Sequence, residues 1–468
     1  MRRFIAALLA AAASAGLIPS VSRAQTLEEA LAEAYAINPT LNAERARQRA
    51  TDEQVPQALS GYRPTVTTSV QAGGRWLDSN EQSVAGQQDD SVFTRTYGAS
   101  LEQPLYRGGQ TVAAVRGAEN AVLSGRAQLE SVEQTVLLNA VNAYSDVYRD
   151  QAVVELNVRN EQRLARQLEA TSDRFQVGEV TRTDVSQAEA RLARAVAERI
   201  SAEGNLAQSR AVFRNVVGRM PGKLPKPPLP EGLPGSLEES NSVALDWNPD
   251  VTAAEFSERS ALDGVDQVKG ELLPTVSLIG RVQRDMDASR RDSRFDTAEA
   301  LVNLQVPLYQ SGAVYSRLRE RKQVVIQQRR RLNQTQNDAV EGSTRAWNSL
   351  ETAVAAIGSL QKQVQANQLA LEGVEKEAEV GARTVLDVLD AEQELLDSEV
   401  SLVSAERDEV VASYQLKSAV GQLTARRLGL PVEQYNPSEH YREVRGAWFG
   451  GSSSGDSSGD FAQPAGAR

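Results

Sequence analysis

What most constrains this 468-residue chain is that it repeats itself. Pro64-Thr65-Val66 returns as Pro274-Thr275-Val276, and Asn38-Pro39 returns as Asn248-Pro249, both displaced by 210 positions (274 − 64 and 248 − 38). Pro104-Leu105-Tyr106 returns as Pro307-Leu308-Tyr309, Val177-Gly178 as Val380-Gly381, Asp184-Val185 as Asp387-Val388, and Val217-Gly218 as Val420-Gly421. These four are displaced by 203 (307 − 104). The change of seven (210 − 203) falls between Pro64 and Pro104, so one loop differs in length between two matched halves. Six coincidences in collinear order define one structural module used twice.

Composition narrows what the module is made of. Aromatic residues are only 5 % of the chain, and long stretches are built from Ala, Gln, Glu, Arg, Val and Leu. That mix suits long helices with narrow apolar seams better than a thick globular core. A net charge of −11 argues against a nucleic-acid partner. The absence of cysteine excludes disulfides, thiol catalysis, thiolate metal sites and a lipidated N-terminal cysteine. Arg2 and Arg3, the apolar run Phe4 to Ala15, and the small-x-small site Ser22-Arg23-Ala24 before Gln25 read as a secretory signal over residues 1–24. The run is too short for a comfortable membrane anchor, and no later segment has about 18 uninterrupted apolar residues. No transmembrane helix is therefore expected in the mature chain, which leaves a β-barrel open.

Along the chain the hydrophobic period switches twice per repeat. Thr26 to Ser60 reads as helix, with Thr26 as N-cap, Glu29 three residues on, and a restart at Asn38-Pro39. From Pro64 to Trp76 the period becomes two: Val66, Val70, Ala72 and Trp76 oppose Thr65, Thr67, Ser69, Gln71 and Arg75. After a polar loop, about Leu77 to Ser91, the residues Phe93, Tyr97, Ala99 and Leu101 oppose Thr94, Thr96, Ser100 and Glu102. The second half repeats the pattern. Val276, Leu278 and Val282 share a face, a charged loop runs from about Arg284 to Thr297, and Ala300, Val302, Leu304 and Val306 share a face. Such strands suit an outer-membrane barrel, and a soluble sandwich is the alternative for any one of them. Trp76, Phe93 and Tyr97 flank the first loop, as interfacial anchors or as ordinary sheet packing.

After each strand pair comes a long proline-free stretch, Gly109 to about Gln176 in the first half. Val115, Val122, Leu129, Val136 and Ala143 recur every seven residues, as do Leu350, Ile357, Val364 and Leu371. The returning segments carry Val185, Leu192, Leu206 and Phe213, and Val388, Leu395, Leu402 and Leu416, at multiples of seven. Sustained heptads predict coiled-coil hairpins that turn at Gly178 and Gly381. Trp347 falls within a heptad run and is expected in the core. The expected divisions are a signal over 1–24, a first repeat over 25–217 with strands about 62–103, and a linker over 218–240. A second repeat over 241–428 with strands about 272–308, a C-terminal segment over 429–445 and a disordered tail over 446–468 follow.

Four strands do not close a barrel. Open edges in hydrocarbon leave unpaired N–H and C=O groups at several kcal/mol each. Strands that cross a membrane here must therefore be shared between chains: two chains give eight strands and three give twelve, and the residues do not choose.

The start Leu27-Glu28-Glu29-Ala30-Leu31, Asn38-Pro39, the stretch Pro104 to Gly109 and the two turn motifs around Gly178-Glu179-Val180-Thr181 and Gly381-Ala382-Arg383-Thr384 carry a resemblance. The chain resembles the TolC family of outer-membrane exit ducts over about Thr26 to Leu430. That resemblance implies an α+β membrane protein: a homotrimer whose twelve-stranded barrel, four strands per chain, stands on a periplasmic coiled-coil tunnel. It implies export of proteins or small toxic molecules with an inner-membrane pump and a periplasmic adaptor as partners, outer-membrane lipid around the barrel, and no cofactor.

The resemblance also assigns residues. Asp387 and Asp390 match aspartates that ring the closed periplasmic mouth; by spacing alone they lie on one helix face and suit its N-terminal dipole. Arg383 matches a clamping arginine whose partners are Thr183 and Asp184. The family's second clamping residue is a tyrosine, and Ala378 stands there. The turns at Gly178 and Gly381 match the adaptor contact. The swivel region around Arg107 and the tip motifs lean toward the protein-secretion branch, and Arg107 itself is not diagnostic. His440, the only histidine, reads as a lone surface residue near the tail. No Gly-rich phosphate loop, Ser/His/Asp set or metal cluster supports an enzyme. The competing reading is a periplasmic structural coiled-coil or adaptor protein with a small soluble β domain.

Overall fold

The structure, a computed structural model, describes residues 25–77, 90–288 and 292–450. The expected signal sequence, most of the first inter-strand loop and the tail beyond 450 lie outside the described residues. Each half begins with short helices: α1 (Leu27–Ile37), α2 (Pro39–Asp52) and α3 (Gln54–Leu59), matched by α6 (Leu237–Trp247) and α7 (Pro249–Gly270). Each continues into a strand pair, β1 (Thr65–Leu77) and β2 (Asp90–Arg107), then β3 (Thr275–Met286) and β4 (Arg294–Gln305). Each ends in a helical hairpin, α4 (Gln110–Gln176) with α5 (Arg182–Val217), and α8 (Ala313–Glu379) with α9 (Val385–Ala419). A last helix, α10 (Pro437–Arg445), follows.

The strands form one antiparallel sheet in the order β1-β2-β3-β4. Its register aligns the apolar alternation of all four strands. Val66 faces Leu101, Val70 faces Tyr97, Ala99 faces Val282, Leu278 faces Val302 and Val276 faces Leu304. One face is thus apolar along most of its length, with Arg95, Arg284 and Asp296 only at its loop end, and the other carries Thr67, Ser100, Arg281 and Glu299. Among the described residues no second layer covers the apolar face: Val70 is 72 % exposed and Val302 69 %. A soluble sandwich would bury these side chains, so the sheet is built for an apolar surrounding. Strands β3 and β4 reach further than the sequence predicts. Arg284 to Met286 and Arg294 to Thr297, expected as charged loop, pair across the ladder. Their charges are matched in pairs, with Arg284 Nε 2.6 Å from Asp296 Oδ1, which the period count reads as loop.

Helices α4 and α8 have 67 residues each, about 100 Å at 1.5 Å per residue. The predicted heptad residues Val122, Leu129, Val136, Ala143, Phe213, Leu395 and Leu416 are buried. A second stripe, unread in the sequence, is made of alanines at the same spacing. Ala188, Ala195 and Ala202 of α5, and Ala339, Ala346 and Ala353 of α8, are buried. Alanine offers little burial energy but lets helix axes approach closely, so it marks the seam. Trp347 is half-buried, beside Ala346 and Leu416.

The two Asn-Pro repeats join helices end to end. Asn38 Oδ1 accepts the Thr40 amide at 3.0 Å while its Nδ2 donates to the Val216 carbonyl at 3.1 Å. Asn248 does the same with Asp250 (2.9 Å) and Ala419 (3.2 Å). One side chain caps the next helix and satisfies the last turn of the returning one, so α5 abuts α2 and α9 abuts α7.

At mid-height the main core gathers Leu27, Leu31, Leu137, Tyr144, Phe213 and Leu423. The Pro-rich linker is strapped across it. Tyr144 donates to the Pro225 carbonyl at 3.1 Å and Gln151 Nε2 to the Gly222 carbonyl at 2.7 Å. His440 corrects the sequence reading: it is buried on α10, with Nδ1 3.3 Å from Asp52 Oδ2. Position near the chain end suggested exposure, but α10 folds back onto α2 and α3. Beyond Gly446, where disorder was expected, Arg63 Nη1 donates to the Ala447 carbonyl at 2.7 Å and its guanidinium lies over the Trp448 ring.

A candidate gate at the helical tips

The far end of each hairpin is built by the same local chemistry. After α4 the chain turns at Gly178 (φ +83°), and after α8 at Gly381 (φ +77°). The Glu179 amide reaches back to the Arg174 carbonyl at 2.9 Å, and the Ala382 amide to the Glu377 carbonyl at 2.8 Å. A residue at positive φ is needed to bring these amides back to the carbonyls the helix leaves unpaired. The returning helices then start with capping boxes. Thr181 Oγ1 accepts the Asp184 amide at 3.3 Å while Asp184 Oδ2 accepts the Thr181 amide at 2.8 Å. Thr384 and Asp387 repeat this at 3.2 and 2.9 Å. Each turn is closed by one exposed Arg–Glu pair, Arg174 Nε with Glu179 at 3.1 Å and Arg383 Nε with Glu377 at 2.9 Å.

Asp184 and Asp387, singled out from the sequence, are therefore capping residues. The Thr384 amide and hydroxyl hold the Asp387 carboxyl below the usual carboxylate range, so it is ionised at neutral pH. Asp390 lies one turn further on and accepts a hydrogen bond from Arg191 Nη2 of α5. Within the chain Arg383 is engaged with Glu377 and is not brought to Thr183 or Asp184; Thr183 is exposed. Ala378, at the tyrosine position, packs against the apolar cluster of Leu371, Val388 and Leu395.

Sequence reasoning missed two residues here. Arg191 sits among many arginines of α5 and carries no local signal. Glu392 is 4 % exposed, on a stripe of α9 otherwise made of Val385, Leu389 and Leu396. Burial pushes its carboxyl up to about 6 against the pull of Arg163, with Glu375 adding to the rise and Arg166 opposing it. Glu392 Oε2 and Arg163 Nε are both buried without a hydrogen-bond partner. An acid breaking an apolar i, i+4, i+7 stripe is the signal that would have found it.

A duplicated, edge-open sheet with one bare apolar face, carried on paired coiled-coil hairpins, defines a membrane-inserted channel subunit. The comparisons agree. The family described as outer membrane efflux protein matches residues 30–219 and 241–422, once per repeat, and the chain belongs to it. It is 37 % identical over 427 residues to the outer membrane efflux protein BepC of Brucella suis, covering 91 % of this chain and 92 % of that protein. It is 26 % identical over 421 residues to the outer membrane protein TolC of Vibrio cholerae, covering 88 % and 94 %. The fold superposes on the CmeC outer membrane channel of Campylobacter jejuni with a TM-score of 0.76 at 16 % identity, over 90 % of this chain and 89 % of that one. Membership makes the chain a non-catalytic export channel of the outer membrane that extends into the periplasm.

Proposed function

We propose that three chains close one twelve-stranded barrel and that their hairpins form one tunnel. The carrying observation is the pair of open edges: β1 and β4 end the sheet and, in a four-strand meander, run in opposite directions. The β4 edge of one chain can then pair antiparallel with β1 of the next, which satisfies every edge N–H and C=O in a closed ring. In this reading an inner-membrane pump delivers cargo, and a periplasmic adaptor docks on the turns at Gly178 and Gly381. Small-molecule efflux is favoured as the cargo class because BepC, alike over nearly its whole length, is named for efflux. Protein secretion, toward which the swivel region around Arg107 and the tip motifs lean, is the second reading. Loss of the chain should sensitise its host to toxic small molecules; unchanged susceptibility with loss of a secreted protein would reverse the choice.

Flow is limited at the tips. Asp387 and Asp390 from three chains give six carboxylates around one opening, a ring that attracts cations and divalent ions above all. Arg383 contributes to closure through contacts with Thr183 and Asp184 of a neighbouring chain, which requires it to leave Glu377. Single-channel recording in planar bilayers tests both points. Asp387→Ala with Asp390→Ala should weaken divalent-cation block, and block at the wild-type level would remove the ring from the account. Arg383→Ala should raise conductance; an unchanged value means this arginine does not clamp.

A further inference from the structure

We propose that Arg191 is the residue that locks the tip within each chain, by pairing with Asp390 across the two hairpins. The inference rests on the export-duct reading and adds to it a gate residue that the resemblance does not supply.

Helix α4 packs against both α5 and α9, so it stands between them. In a tunnel wall of neighbouring helices, axes lie about 8–10 Å apart, and next-but-one helices do not touch. Here they do. Leu192 and Ala195 of α5 meet Val385 and Leu389 of α9, with Leu164 of α4, in one apolar cluster beside the turns. The wall is therefore folded into a three-helix bundle at its end, and straightening it into an open cylinder has to separate α5 from α9.

The Arg191–Asp390 pair spans that separation. Among the described residues it is the ion pair that joins α5 to α9. The Arg191 side chain is 27 % exposed and so partly covered, while Asp390, at 57 %, stays open to solvent. The tyrosine that the resemblance expects as a latch is Ala378, whose side chain has no hydrogen-bonding group and lies in a different apolar cluster. Arg191 thus supplies a polar tie where the other latch is missing. It also neutralises one of the two carboxylates per chain that face the mouth, so the resting ring is less negative than six bare aspartates.

Two consequences separate a lock from a merely structural contact. Arg191→Gln should raise single-channel conductance about twofold or more, and should strengthen divalent-cation block because Asp390 is left bare. Exchanging the charges, Arg191→Asp with Asp390→Arg, should return conductance toward the wild-type value, whereas Arg191→Asp alone should not. Wild-type conductance in Arg191→Gln, or an exchange variant as leaky as the single one, would overturn the proposal. If no form of the chain conducts, the duct reading fails. The lock is then read by amide hydrogen exchange over the first turns of α9: faster exchange in Arg191→Gln supports it and unchanged exchange overturns it.

Discussion

Asp387 shows how one residue carries a structural and a functional reading together. Its carboxylate completes a capping box with Thr384, which any helix start would reward, and the same charge faces the end of the hairpin. From spacing alone only a carboxylate suited to the helix dipole was legible, neither the box with Thr384 nor a place at the mouth. The second depends on neighbouring chains, which no local pattern encodes. Glu392 makes the opposite case, a charge where packing disfavours one. Its folded-state carboxyl titrates at about 6 against 4.5 when unperturbed. A carboxyl raised on folding binds its proton more tightly in the packed state. Its contribution is fully present below about 4.5 and is lost as pH rises through about 6, on the order of 2 kcal/mol at the tip. Protection factors of α9 amides around Leu389, exchange rates corrected for their intrinsic pH dependence, should therefore fall between pH 4.5 and 7 in the wild type and stay flat in Glu392→Gln. A wild-type profile as flat as the variant's would mean the carboxyl is not buried in solution.

At the scale of elements, the helices were the most legible part. A proline-free stretch with large apolar residues every seven positions fixes both hairpins, and Gly178 and Gly381 fix their turns. The alanine stripes stayed hidden because alanine is frequent on every face of such helices. The strand ends were misread because Arg284, Arg294 and Asp296 look like loop residues until a partner strand pairs them. The junction asparagines were visible as a repeat, but not as a link to Val216 and Ala419, which lie about 170 to 180 residues away in sequence and come close only through the hairpin. Two glycines at the ends of α8 and α9 test this level. A Cβ on Gly381 meets nothing, and only its φ of +77° opposes a side chain. Gly381→Ala should cost about 1–2 kcal/mol. A Cβ on Gly421 would lie 2.1 Å from the Trp247 carbonyl oxygen, with φ +72° as well. Gly421→Ala should cost clearly more, because the α9–α7 junction must open to admit it. Chemical denaturation that ranks the two equally would show that α9 does not abut the α6–α7 corner as described.

The whole molecule is an incomplete object as a single chain. Among the described residues its sheet has two open edges and an apolar face without cover. Its core is thickest at mid-height, where the linker and α10 wrap the helices, and thins toward tips joined by a small apolar cluster and the Arg191–Asp390 pair. That distribution suits a rigid collar between a membrane-embedded end and a movable one. The duplication foretold the repeated strands and hairpins, and the shared apolar face of the sheet followed from their alternation. What it did not contain was the number of chains, because eight and twelve strands satisfy the same edge chemistry. The most direct test is the molar mass of the detergent-extracted species by light scattering, corrected for bound detergent. Three chains per particle, released from outer membranes only with detergent, are expected. A monomer that leaves the membrane fraction without detergent would contradict this.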